Sequence, residues 1–444
     1  MYQLIKSNSK YWLNSCLVLY VLTSSLVFAG QNESREKNAQ WLDLIEQDPV
    51  EQLGQIDEFN DLVRVALRNS SQLKAQYAEW EMKREEAGTI IGLPDPSLSL
   101  GYFIEPVETA QGPQRTKVSL GQTIPWFSKT KAKKQAKWAR AEQAYEALEN
   151  TKLHLIRELS VLWAEALYLQ TSRRITEQKL ALATDLEAVL QTQYKSASTS
   201  HQKYANTQIQ TLDLIEQLHG LQDKEYRVRI DLGAILEINT PVAIPRLQRL
   251  SVSMISGDSP TNPHPRLTEL DHLLQEAQAQ RAKTRADYIP DLRVGLDYIL
   301  TDPRVVSGVE IADSGQDPLV FSVGLALPVW NWGAKRSAVE ASKWQEKRVQ
   351  ALRTRETIIL KQEYENANSL LTENLRQMTL YEDDLLPKAH EIVEVMEQSY
   401  ISQSVNIETF TKARQNLLDL EMKLAKAKHS AAIQQSVLTY LRGE

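Results

Sequence analysis

The chain is 444 residues long, 42% hydrophobic and 24% charged, with a formal net charge of -6. That length allows two or three ordinary domains, and an acidic balance gives no reason to expect a nucleic-acid partner, because phosphate binding needs a basic surface. Glycine and proline number only 16 each, and the wealth of glutamine, leucine, alanine, glutamate and lysine is the composition of long helices.

At the N-terminus, Lys6 and Lys10 precede the apolar run "CLVLYVLTSSLVFAG", which ends in Val27, Phe28 and Ala29 as expected before a signal-peptidase cut. Residues 1–29 therefore read as a secretory signal. The run is shorter than the roughly 20 apolar residues of a spanning helix. Cys16, the only cysteine, lies inside it, so the mature chain is expected to carry neither thiol nor disulfide. Leu13-Asn14-Ser15-Cys16 is similar to a lipoprotein cleavage box, but asparagine suits that box poorly and the apolar run follows the cysteine instead of preceding it. No lipid anchor is expected. Residues 30–56 form an N-terminal segment.

A helix is predicted over about residues 57–91, followed by two stretches of a different period. In "SLSLGYFI", Leu98, Leu100 and Tyr102 alternate with Ser97, Ser99 and Gly101; in "KVSLGQTI", Val118, Leu120 and Ile124 alternate with Lys117, Ser119, Gly121 and Thr123. Period-two alternation predicts strands with one apolar side, paired as a hairpin over about 97–124 with its loop around Glu105 to Gln114. After "QTIPWFSK" neither glycine nor proline occurs between Ser128 and His219. Within that interval Leu148, Leu155, Leu162 and Leu169 recur every seven residues, with Leu159 and Ala166 four after their predecessors, a heptad seam for helix against helix. From Lys129 to Tyr194 a single helix would run roughly 100 Å. A turn and a helix over 201–237 follow, then a proline-rich linker over 239–262.

The chain then repeats itself. A helix over about 263–289 leads to "YIPDLRVGLDYI", which matches "GLPDPSLSLGYF" around Pro94. Leu292, Val294, Leu296 and Tyr298 alternate with Arg293, Gly295 and Asp297, and Phe321, Val323, Leu325 and Leu327 with Ser322, Gly324 and Ala326. These predict a second hairpin over about 291–327, with its loop from Thr301 to Pro318. "FSVGLALPVWNWGAKR" echoes "VSLGQTIPWFSKTKAK", and a second long helix from Ala334 to Tyr400 precedes a turn and a helix over 405–441. The echo pairs Tyr194 with Tyr400, Tyr204 with Phe410, and Leu212 with Leu418. The domain plan is thus two structural repeats, 57–238 and 263–444, each made of helix, hairpin, long helix, turn and helix.

Four strands cannot close a barrel, since membrane barrels need at least about eight, and left alone their apolar face and open edges are a liability. Three chains would supply twelve strands. Lys117, Arg293 and Asp297 lie opposite the apolar stripe, and a lumen-facing place is favoured for them because a basic residue facing lipid at mid-bilayer costs roughly 2 to 4 kcal/mol. Trp126, Phe127, Trp330 and Trp332 close the strands, where an interfacial aromatic girdle or packing at a barrel junction would put them. The seven histidines are scattered without i, i+4 pairs, so no metal site or cofactor is expected. No G-x-S-x-G, phosphate-binding glycine loop or H-E-x-x-H occurs, and no enzymatic activity is expected.

The duplication, "GLPDP" before the first strand, "QTIPWFSK" at the strand-to-helix passage and "LLPKAHEIVEVMEQSY" before the second turn resemble the TolC-like outer-membrane efflux proteins over essentially the whole mature chain. "GLPDP" with "IPWFSK" is most similar to the cation-efflux branch, with Ser128 where that branch usually has glycine. The resemblance implies an α+β membrane protein: a trimeric, 12-stranded outer-membrane β-barrel, four strands per chain, continued into the periplasm by a long α-helical coiled-coil barrel. It implies a duct without chemistry, exporting metal cations or drugs with a periplasmic adaptor and an inner-membrane pump, of the RND type. The same duct serving type I protein secretion is the alternative. A poreless periplasmic coiled-coil scaffold is disfavoured by the four alternating strands.

Carried onto this sequence, the family's acidic aperture pattern after the second turn puts Glu408 at the first acid and Thr411 at the second, in "ETFT". One acid instead of two halves the ring charge, and the ordinary reading of such a glutamate is a solvated helix face. For adaptor docking the resemblance points to the turns: Lys195, Ser196, Ser198 and Ser200 in the first, Ser402, Gln403, Ser404 and Asn406 in the second.

Overall fold

The computed structural model describes residues 41–50, 59–89, 93–242, 263–327 and 330–444. The expected signal sequence with Cys16, residues 30–40 and 51–56 of the N-terminal segment, residues 57–58 and 90–91 of the first expected helix, and residues 243–262 of the linker lie outside the described residues.

A short helix α1 (Leu42–Ile45) precedes α2 (Phe59–Asn69) and α3 (Ser71–Gly88). Strands β1 (Ser97–Thr109) and β2 (Gly112–Ile124) lead into α4 (Phe127–Lys195), a single helix of 69 residues, and then α5 (His201–Ile235). In the second half come α6 (Pro265–Ala286), β3 (Leu292–Thr301), the two-residue strands β4 (Val305–Val306) and β5 (Val309–Glu310), and β6 (Leu319–Leu325). Helix α7 (Trp332–Thr379), a π-helical turn (Leu380–Leu385), α8 (Leu386–Ile401) and α9 (Ile407–Arg442) complete the chain.

Two expectations of unbroken helix need correction. The helix expected over 57–91 is divided at Ser70. Asn69, buried at 4% exposure, turns its side-chain amide on Val50, accepting from its N–H at 2.7 Å and donating to its carbonyl at 3.0 Å, and also donates to the Leu236 carbonyl at 2.9 Å. The Ser71 N–H then goes to the Glu237 carboxylate at 2.7 Å, and Ser70 Oγ accepts from Leu73 N–H, so the chain restarts a helix with its own cap. The second long helix is interrupted where Pro387 offers no N–H and its ring crowds the preceding turn. There Leu386 N–H reaches back to the Tyr381 carbonyl, one residue beyond the α-helical partner.

The chain divides into two compact units, one drawn from Met1–Lys74, Leu155–Ser253 and Leu371–Ser436, the other from Ala75–His154, Met254–Leu370 and Val437–Glu444. In the first, the heptad residues Leu159, Ala166 and Leu169 are buried with Leu62, Ala66, Trp163, Val228, Leu232 and Leu236. In the second, Leu153, Leu360, Tyr440 and Leu441 form a core flanked by Leu267, Tyr364 and Val437, and the Tyr440 hydroxyl donates to Asn150 at 3.0 Å. That hydrogen bond satisfies a polar tip which burial would otherwise penalise.

The second unit also holds a four-stranded antiparallel sheet in the order β1-β2-β3-β6. The loop between β3 and β6 forms the β4–β5 ribbon and is tied to the β1–β2 turn: Asp302 N–H donates to the Pro113 carbonyl at 2.9 Å, and Arg115 Nε lies 2.6 Å from Asp302. Gly112 has φ +122°, and a Cβ there would fall 2.0 Å from the Asp302 carbonyl, so this close approach needs glycine.

Candidate functional site: the sheet faces and the helical turns

Register turns the strand alternation into two rows of unlike chemistry. Leu98, Leu120, Leu296 and Phe321 are cross-strand partners on one face, as are Leu100, Val118, Tyr298 and Leu319. On the other face the row Ser97, Gly121, Gly295, Ser322 has glycines so close to the serines that a Cβ on Gly295 would sit 2.6 Å from Ser322 Oγ. Ser99, Ser119, Asp297 and Val320 form the next row of that face. The first face is uncharged yet open: Leu98 is 73% exposed, Leu100 75% and Phe321 69%. Soluble proteins do not leave so continuous an apolar surface in water.

Lys117, Arg293 and Asp297 all occupy the small, polar face. Lys117 Nζ lies 2.9 Å from Asp297 Oδ2, an ion pair set diagonally across β2 and β3. Arg293 stands between Thr123 and Gly324 and is exposed, with no ion-pair partner among the described residues.

At the strand-to-helix passages the aromatic residues are open to solvent: Trp126 50%, Phe127 57% and Trp332 60% exposed. Behind them two lysines hold the passages to the turn before β3. Lys129 Nζ donates to Asp291 at 2.8 Å, while Lys335 Nζ donates to the Asp287 carbonyl and lies 5.9 Å from the Tyr288 ring centroid.

The two helix-connecting turns are built alike. In the first, Ala197 takes φ +56°, its N–H reaches the Tyr194 carbonyl at 3.0 Å and Ser198 N–H reaches the Gln193 carbonyl at 2.7 Å. In the second, Gln403 takes φ +59°, bonding to Tyr400 at 3.0 Å, and Ser404 bonds to Ser399 at 2.9 Å. This pair of bonds around a left-handed residue is a Schellman termination, here without its usual glycine. Hydroxyls of Ser196 and Ser198, and of Ser402 and Ser404, face each other at 3.1 Å in both turns. The following helices are capped by Ser200, accepting from Lys203 N–H, and by Asn406, accepting from Thr409 N–H at 2.9 Å. Tyr194 stacks on Tyr204 and Tyr400 on Phe410, with ring centroids 5.9 and 5.6 Å apart. Lys195 ends α4, half a turn before Ala197, and is exposed.

Glu408 and Thr411 do not share one environment. Glu408 receives Lys203 Nζ on both carboxylate oxygens, at 3.0 and 3.1 Å. Thr411 is buried at 3% exposure, so the position read as the second aperture residue is packed away from solvent and does not face an opening. Lys203 was invisible to motif reading, because its role depends on which helix lies beside Glu408.

Among the histidines, His264 is buried; its Nδ1 accepts from Arg266 N–H at 3.1 Å and its ring meets Tyr440 edge-on at 4.9 Å. Burial, with Arg266 close by, pushes its pKa down to about 4. Among the described residues no group of three or more His, Cys, Asp or Glu side chains is placed to hold a metal ion, and no helix is long and apolar enough to cross a membrane.

Residues 262–444 match the family described as outer membrane efflux protein. No curated protein matches the chain in sequence. Among solved structures, the outer-membrane channel OprN is 14% identical, with a TM-score of 0.71 over 87% of this chain and 89% of that one. CusC, solved in a study of folding and transmembrane channel formation, is 14% identical with a TM-score of 0.67 over 89% and 94%. The outer membrane protein VceC from Vibrio cholerae is 14% identical with a TM-score of 0.68 over 87% and 96%. The fold is therefore that of the outer-membrane channels. The resemblance to TolC-like outer-membrane efflux proteins is borne out, with residues 262–444 as the part that carries the family's sequence pattern.

Proposed function

We propose that three copies of this chain close a twelve-stranded barrel in the outer membrane and serve as the exit duct of a tripartite efflux system for small solutes. One observation carries the reading: a four-stranded sheet with an exposed face whose rows from Leu98 to Tyr102 are uncharged, with Lys117, Arg293 and Asp297 on the other face, and with two outer edges, β1 and β6. In lipid every backbone N–H and C=O must be satisfied, so such a sheet requires closure, and β6 of one copy beside β1 of the next supplies it. The apolar face then meets lipid, and Lys117, Arg293 and Asp297 line the lumen. The two repeats divide the chain at the linker over 239–262, each contributing one hairpin.

At the periplasmic end, the two turns are the docking surface for an adaptor, which couples the duct to an inner-membrane pump of the RND type moving metal cations or drugs. Their matched hydroxyl pairs and left-handed residues support this, because both turns offer a partner the same geometry. Glu408 contributes to the aperture as half of an ion pair with Lys203, which mutes its charge.

The test is a pair of substitutions on neighbouring residues of facing strands. Leu296→Asp, on the lipid side, should abolish outer-membrane assembly, whereas Ser322→Asp, on the lumen side, should be tolerated. Equal loss of assembled protein in both variants would overturn the reading.

A further inference from the structure

Of the three charged residues on the polar face between the Ser97 and Gly101 rows and at Arg293, two cancel: Lys117 and Asp297 lie 2.9 Å apart. Arg293 does not. It sits four residues from Asp297 on β3, about 13 Å along the strand, which is beyond a screening length of about 8 Å at physiological ionic strength. Asp291, two positions away, is already committed to Lys129 and to the Trp126 N–H. Thr123 and Gly324, the cross-strand partners, put no bulky group over the guanidinium. A Cβ added to Gly324 would come only within 3.9 Å of the Arg293 Cβ, so the space beside it is open. Glu105 and Glu108 in β1, and Glu310 and Asp313 between β3 and β6, lie at the opposite end of the strands, and Asp95, exposed just before β1 at the same end as Arg293, makes no ion pair with it.

We propose that Arg293 is a selectivity residue: three copies form a positively charged ring at the helical end of the barrel that favours passage of small anionic solutes. This rests on the channel reading above and, of the two cargo classes named there, favours anionic drugs over metal cations. A guanidinium stays protonated at any physiological pH, so the ring is permanent. Fixed like charges in a narrow passage raise the local concentration of counter-ions and lower that of co-ions.

The test is reversal potential across planar bilayers holding the purified full-length protein in a potassium chloride gradient at low salt. Arg293→Gln should lower the chloride-to-potassium permeability ratio about twofold or more, given the unscreened reach of three charges. Arg293→Glu should lower it further, and Arg293→Lys should keep the wild-type ratio, since only charge is at issue. An unchanged ratio in Arg293→Gln with intact conductance would overturn the proposal while leaving the channel standing. Absence of any conductance from the wild-type protein would overturn both.

Discussion

Asp291, in the turn before β3, accepts both the Nζ of Lys129 at 2.8 Å and the backbone N–H of Trp126 at 3.2 Å, from a motif about 165 positions earlier in the chain. The motif is used twice because each strand-to-helix passage must be fastened to the same turn, Lys129 through Asp291 and Lys335 through the Asp287 carbonyl. In each case the aromatic pair faces outward while the basic residue points back.

From that geometry, Asp291→Ala should cost more stability than Lys129→Ala. The first strands a backbone donor as well as an ammonium, at about 1 to 3 kcal/mol, whereas losing a partly exposed ion pair alone is worth about 0.2 to 1 kcal/mol. Thermal unfolding of the two single variants and the double variant checks this. A Lys129→Ala loss equal to or above that of Asp291→Ala would contradict it.

Much of this fold is written locally. Period-two alternation around Leu98, Val118, Leu296 and Phe321 marks the strands, and the heptad through Leu148 and Leu169 marks a helix seam, because both patterns report which side of an element is covered. What remained hidden depends on partners distant in the chain. The break at Ser70 follows from Val50, Leu236 and Glu237 converging on Asn69 and Ser71. The π-helical turn did have a local sign, Pro387, but a proline can also simply end a helix. At the candidate sites, Lys117 and Asp297 share a face by alternation, while their pairing needed the β2–β3 register. The Lys203 contact to Glu408 joins helices whose adjacency no motif encodes.

The turns make a sharper stability prediction. Ala197 and Gln403 hold left-handed φ values that cost an L-residue roughly 1 to 2 kcal/mol. Ala197→Gly removes that strain but adds about 0.5 to 1 kcal/mol of unfolded-state freedom, so its melting temperature should stay level or rise slightly. Ala197→Val, a β-branched residue in the same conformation, should lower it clearly. A Val variant as stable as wild type would mean the turn rearranges freely.

His264 predicts the pH dependence of the second unit. Its pKa in the fold, about 4, lies below the ordinary 6.5. The fold therefore favours neutral imidazole, and the stability this residue contributes is complete above pH 6.5 and lost as pH falls toward 4. Protonation would also take the Nδ1 lone pair that accepts from Arg266 N–H at the start of α6. In His264→Asn, which keeps an acceptor at that cap, the melting temperature should fall less between pH 7 and pH 4.5 than in wild type. Parallel slopes would exclude His264 as a source of the acid sensitivity.

The central claim is that the sheet order β1-β2-β3-β6 is a third of a closed barrel, and native mass spectrometry of the protein extracted from outer membranes in mild detergent tests it most directly. A dominant species at three times the mass of the mature chain, dissociating on heating, is the predicted result. A stable monomer or dimer that keeps its strand content would contradict it, because then something other than two further copies satisfies the open β1 and β6 edges.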